Sequence, residues 1–150
     1  MTQEEKSLLL KDLCARLPYG VICVGVTYDL DDDGERYIPV KVRNILTEIN
    51  NYTLETASVK LDLISSCRLE TIKPYLRPMS SMTEEEKIEL CTIAYAPDEM
   101  KTIEEKLYVI KTNAKYATDF YNEHHFDYRG LIEKGLALEA KEGMYDIKEK

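Results

Sequence analysis

Two adjacent histidines, a carboxylate, a phenol and a guanidinium fall within six positions in HHFDYR, residues 124 to 129. Imidazole titrates near neutral pH, so His124 and His125 are candidates for a general base or a metal ligand, with Asp127 as the nearest carboxylate. The spacing argues against a chelate. Zinc-binding helices present their ligands four residues apart, whereas adjacent side chains on a helix point roughly 100° away from each other. In an extended segment adjacent rings diverge further, although Asp127 then lies on the same side as His125. A competing structural reading sets His124 at the end of a buried helical stripe beside Tyr121. It turns His125 and Arg129 to solvent and uses Asp127 to start a short helix containing Leu131 and Ile132.

Other constellations are weaker. In DLDDDGERYIPV, residues 29 to 40, Asp29, Asp31 and Asp33 occupy odd positions and Gly34 the sixth, as in the first half of a calcium loop. Val40 stands where the bidentate glutamate is required, so an acidic hairpin tip is expected, not a tight calcium site. Cys14, Cys23, Cys67 and Cys91 form no C-x-x-C pair and read as small core residues. Eleven tyrosines and no tryptophan suit half-wet surfaces, and Tyr75 with Arg77 between two prolines could anchor a partner. No phosphate loop, nucleophile elbow or H-E-x-x-H is present, so no metal or cofactor site is assigned. The candidate binding residues are Tyr75, Arg77, His124, His125, Asp127, Tyr128 and Arg129.

Several elements must position these groups. Thr2 and Glu5 form a capping box for a helix from Gln3 to about Leu17, with Leu9, Leu10, Leu13, Cys14 and Leu17 as its buried stripe and Pro18 and Gly20 ending it. VICVGVTY and ERYIPVKV flank Asp33-Gly34 as a hairpin, and Pro39 points to an edge strand or bulge. YTLETAS and VKLDLIS complete a small antiparallel sheet over residues 21 to 66, open or curled into an SH3-like barrel. Pro74 and Pro78 make KPYLRPMSSM a connector. Thr83 and Glu86 cap a second helix whose apolar face is Ile88, Cys91 and Tyr95, and which stops before Pro97. Ile103, Leu107, Ile110, Ala114, Ala117, Tyr121, His124 and Tyr128 lie on one helical stripe, in one helix or in two with a break near Thr112 and Asn113. The expected class is α+β in a single domain, with residues 1–78 as helix plus sheet and 79–150 mainly helical.

At 150 residues, 44% apolar and 32% charged, the chain can bury a full core. A net charge of -8 works against direct nucleic-acid binding and against anionic membranes. The acidic start MTQEEK leads into only a short apolar run, so neither a secretory signal nor a spanning segment is read and a cytoplasmic setting is expected.

The blocks KDLCARLPYGV (11–21), KPYLRPMSSMTEEE (73–86) and HHFDYRGLIEKGLALEA (124–140) resemble a set of small proteins of Bacteroides-group gut bacteria and of their phages and mobile elements. They cover under a third of the chain. The resemblance implies a bacterial or phage-infected-cell setting, implies no activity, and suggests that the HHFDYRGLI block packs against the PYLRP block. The expected function is that of a non-enzymatic acidic interaction protein binding a protein partner, and a homo-oligomer is compatible with the sequence. The alternatives are a small enzyme or ligand-binding protein with a pocket at HHFDYR, or an acidic inhibitor mimicking DNA toward a host defence protein.

Overall fold

In the computed structural model, the described residues are 1–50, 57–61, 66–93, 102–112 and 117–146. Helix α1 (Gln3–Arg16) starts at the expected box: Glu5 N donates to Thr2 Oγ1 at 3.1 Å and Thr2 N to Glu5 Oε2 at 2.7 Å. A 3-10 turn at Leu17–Tyr19 follows, and Gly20 at φ +68 ends it in the left-handed region that glycine tolerates. Leu9, Leu10 and Leu13 are buried as expected. Cys14 is exposed, and its place on the buried arc is taken by Asp12 and Arg16.

Strands β1 (Ile22–Leu30) and β2 (Tyr37–Ile45) pair antiparallel from Ile22↔Ile45 to Leu30↔Tyr37. Asp31 builds the turn: its Oδ1 accepts from Glu35 N at 2.8 Å and Arg36 N at 3.2 Å, and Gly34 sits at φ +72. The carboxylate at the centre of the calcium-like pattern is thus engaged by its own backbone. Pro39 is tolerated because β2 is the edge of a sheet ordered β2-β1-β6-β7, where β6 is Lys73–Leu76 and β7 is Leu138–Glu139.

The PYLRP segment corrects the sequence reading. It is not a connector: Lys73–Leu76 forms β6, an interior strand antiparallel to β1 through Cys23↔Pro74 and Val24↔Lys73. Pro74 fits there because pairing with the other neighbour, β7 (Leu138–Glu139), begins only at Tyr75↔Leu138. That pairing is parallel, so the sheet is mixed. A second sheet, β3 (Glu48–Asn50), β4 (Ser58–Lys60) and β5 (Ser66–Arg68), is antiparallel. Among the described residues the strands therefore form two sheets with free edges in place of a closed barrel, and the class is α+β.

Gly25 joins the layers. A Cβ there would lie 2.6 Å from Ile72 Cδ1 and 2.9 Å from Cys67 Sγ, so only glycine lets the second sheet approach β1 this closely. Cys23 and Cys67 are core residues, and burial, with the charge of Asp12 adding to it, pushes the Cys23 thiol up to about 12.

Helix α2 (Glu84–Ile93) carries the expected Thr83–Glu86 box, but it buries Leu90 while Ile88 is exposed and Cys91 half-buried; Tyr95 and Pro97 lie outside the described residues. Helices α3 (Ile103–Thr112) and α4 (Thr118–Glu123) carry the late stripe, with Ala117 and Tyr121 buried. Ala114 and the expected break at Asn113 lie outside the described residues. Helix α4 stops at Glu123, so Tyr128 is not on it.

Two apolar clusters result. One joins α1, both sheets and Leu131, Leu136 and Ala137; the other holds Met82, Leu90, Ala117, Phe120, Tyr121 and Phe126. Residues 131–139 thus return to the sheet, packing Leu131, Leu136 and Ala137 against it and pairing Leu138–Glu139 with β6. No helix among the described residues is long and apolar enough to cross a membrane.

Candidate functional site

The HHFDYR segment is a helix stop with an unusual occupant. Past α4, His125 N donates to Asn122 O at 3.2 Å and Phe126 N to Tyr121 O at 2.8 Å, the paired bonds of a Schellman motif. His125 fills the left-handed position, at φ +58, that glycine normally takes. The reversed chain then meets PYLRP: Arg77 N donates to His125 O and Asp127 N to Arg77 O, each at 2.8 Å. The two sequence blocks are therefore bonded to each other through backbone.

The side chains of this segment diverge into separate environments. His124 is half-buried, stacks on Phe120 with ring centroids 4.2 Å apart, and places Nδ1 3.4 Å from Glu86 Oε1. Glu86 is held by both guanidinium nitrogens of Arg77, at 2.6 and 2.9 Å, and Arg77 lies 4.3 Å over the Phe126 ring. Burial works to raise the Glu86 carboxyl, but the Arg77 bonds, the Thr83 amide, the Arg77 charge and His124 outweigh it and hold it at about 2.

His125 goes elsewhere. It does not point to solvent as expected: it is buried, stacked on Tyr145 at 3.7 Å between centroids. Burial first, then the charges of Arg16, His124 and Arg77, push its pKa down to about 3. The ring is neutral at physiological pH, and Nδ1 has no hydrogen-bond partner among the described residues. Tyr145 donates to Tyr75 O at 2.6 Å and accepts from Ile22 N at 3.2 Å, so it bridges β6 and β1; Tyr75 itself is half-buried and is not an exposed anchor.

Asp127 accepts from Leu131 N and Ile132 N at 2.8 Å each, capping a run of turns where a short helix was expected. Tyr128 donates to Asn122 Oδ1 at 3.2 Å, and the guanidiniums of Arg129 and Arg16 lie 4.8 and 5.6 Å from its ring centroid. Arg129 is likewise turned inward, with Nε 3.6 Å from Asp12 Oδ1.

Sequence reasoning missed the centre of this arrangement. Arg16 is 0% exposed; it bonds Asp12 through Nε at 2.7 Å and Nη2 at 3.2 Å, and donates to Phe126 O at 2.7 Å and Tyr121 O at 3.4 Å. A signal existed: positions 9, 12, 13 and 16 share one helical face, so a carboxylate and a guanidinium sit on the leucine stripe. Arg16 thereby fastens α1 to the two carbonyls that flank the Schellman turn.

Chemically, this network binds itself. No group of three or more His, Cys, Asp or Glu among the described residues is placed to hold a metal ion. A cleft of about 520 Å³ lies beside the segment, lined by Arg77, Ser81, Thr83, Glu86 and residues 139–146, but by none of residues 124–129. Arg77 is committed to Glu86, and the remaining charged lining residues are Lys141, Glu139, Glu142 and Asp146. No known protein family, no curated protein and no solved structure compared with this chain matches it.

Proposed function

We propose that this chain is a non-enzymatic, acidic interaction protein of a phage or mobile element that works by binding a protein partner. One observation carries the reading: the titratable groups of the HHFDYR segment turn inward to separate neighbours, with His125 Nδ1 and Arg129 Nη1 buried without a hydrogen-bond partner among the described residues, while large apolar side chains at the far end of the β1–β2 hairpin stand uncovered. Tyr37 is 73% exposed and Tyr28 60%, with Leu30 and Ile38 also exposed. Clustered exposed aromatics mark contact surfaces, whereas a reacting centre needs a base, an orienting group and a substrate-accessible hollow sharing one space. The exposed hairpin face supports a binding surface there better than at Tyr75, Arg77, His125, Tyr128 and Arg129, where the sequence led us to expect it.

The rival reading, a pocket at HHFDYR, loses its geometric support. His124 turns toward Glu86, His125 toward Tyr145, Asp127 toward backbone amides and Arg129 toward Asp12. The decisive experiment is affinity capture from a bacterial host lysate followed by reciprocal capture with the recovered protein as bait. Recovery of one partner in both directions is expected, and a lysate that yields nothing specific counts against the proposal.

A further inference from the structure

Strand β1 is supported along only part of its length. Among the described residues, strand β6 pairs with it at Cys23 and Val24 alone, and the outermost hydrogen bond to it from beyond the hairpin comes from Thr71 of the 3-10 turn Leu69–Thr71, whose hydroxyl accepts from Val26 N at 3.3 Å. From Thr27 to Val40 the hairpin is a two-stranded ribbon extending on the order of 10 Å beyond the sheet, at about 3.3 Å per residue. Residues paired directly across an antiparallel ladder share a face, so Tyr28 and Pro39, then Leu30 and Tyr37, form one face. All four are exposed. Cross-strand contacts among them help hold the ribbon, but a free hairpin is marginal in water and nothing about its own stability requires its apolar face to stay wet.

The outer end of that face is acidic, while exposed Lys41 and Arg43 continue it toward the base of the hairpin. Residues 29–36 hold five carboxylates and one guanidinium. Asp31 is tied to turn amides, and Asp32, Asp33 and Glu35 are exposed without such ties. Self-pairing is disfavoured twice over: two copies would bring like-charged tips together in a chain of net charge -8, and the β2 edge carries Pro39, Lys41 and Arg43, residues that blunt edge-to-edge addition.

Resting on the interaction reading above, we infer that this arm is the docking element, and that its occupant is a basic protein surface: an apolar groove that takes Tyr28, Leu30, Tyr37 and Pro39, rimmed by lysine or arginine that meets Asp32, Asp33 and Glu35. The aromatic face supplies affinity through burial, and the acidic tip supplies steering and orientation.

The test is a selection of displayed random peptides on the full chain, run in parallel on Tyr28→Ser/Tyr37→Ser and on Asp32→Lys/Asp33→Lys/Glu35→Lys. All substituted side chains are exposed, so circular dichroism and the thermal midpoint check that the variants remain folded. Expected is enrichment of peptides with apolar residues flanked by Lys or Arg, with binding about tenfold or more weaker on the tyrosine variant. Binding to the charge-reversed variant should be weaker too and lose its salt dependence. Enriched peptides that bind both variants as well as the parent overturn the arm assignment and leave the interaction reading standing. Enrichment of acidic or uncharged peptides overturns the basic-partner chemistry. A parent chain that sediments as a dimer, dissociated by the tyrosine changes, makes the occupant a second copy and overturns it. No enrichment on any form overturns both readings.

Discussion

The two ends of the β1–β2 hairpin live in opposite environments. At the base, Gly25 lies so close to Ile72 and Cys67 that no side chain fits at residue 25, and in the same interior a guanidinium is wholly buried with its carboxylate. At the tip, two tyrosines, a leucine and a proline face water between unpaired acids. Polar groups are inside and apolar groups outside, the reverse of the usual preference. Buried charge survives at Arg16 because a carboxylate and two carbonyls accept its hydrogen bonds, and the exposed apolar face at the tip is what the proposed contact would cover. The base is therefore expected to respond to substitution in stability, and the tip in binding.

The sharpest break of that contrast is Arg16→Met. It leaves buried Asp12 with only the longer Arg129 contact and takes one donor each from the Phe126 and Tyr121 carbonyls, which keep their backbone bonds, so a loss of about 3–5 kcal/mol is expected in urea unfolding. A Arg16→Met chain of parental stability would show that the buried pair does not organise the interior. Gly25→Ala comes next: its Cβ collides with Ile72 and Cys67, and about 1–3 kcal/mol should be lost, read as a lowered thermal midpoint.

The pH response follows from His125, whose folded pKa of about 3 lies below its ordinary 6.5. Above 6.5 both folded and unfolded chains hold it neutral. As pH falls below that, the unfolded chain takes up the proton and the folded chain does not, so stability declines by up to about 1.4 kcal/mol per pH unit until the folded pKa is reached. Glu86 adds to the decline only below its ordinary 4.5, toward about 2. Replacing His125 with Asn, which accepts the left-handed backbone and does not titrate, should flatten the curve of unfolding free energy between about pH 6 and 5, where Glu86 is silent. An unchanged slope would mean that the ring is not the titrating group. Asp127→Ala removes the acceptor of two amides and should cost about 1 kcal/mol by the same unfolding assay. Smallest is the tip: Tyr28→Ser/Tyr37→Ser should move stability by no more than about 0.5 kcal/mol per site. A larger drop would place the tyrosines with the base and erase the contrast.

Local signals in the chain were readable wherever the physics was local. Capping boxes at Thr2 and Thr83 depend on residues three apart and appear where expected; the hairpin does too, but its turn is wider than Asp33-Gly34, with positive φ at Gly34 alone and Asp31 tying residues 31–36. Pro39 correctly marked an edge. Pro74 misled for a related reason: a missing amide excludes a long ladder, but β6 is so short that its pairings leave room for one. Ile88 and Cys14 were misplaced because apolar type and helical period name a face only to within about one position, and Leu90, Asp12 and Arg16 took the interior arcs.

The candidate site shows the same division. Sequence alone determined the chemical inventory at HHFDYR, the acidic hairpin tip, the helix starts and the α+β class, because each follows from residue identity and spacing over a few positions. Only the tertiary structure decided that the two histidines serve different neighbours, that Asp127 is a cap, and that Arg16 closes on carbonyls 105 and 110 residues away. Those outcomes depend on which distant groups arrive at a buried site to satisfy its charge and hydrogen bonds, and spacing along a chain carries no record of that meeting.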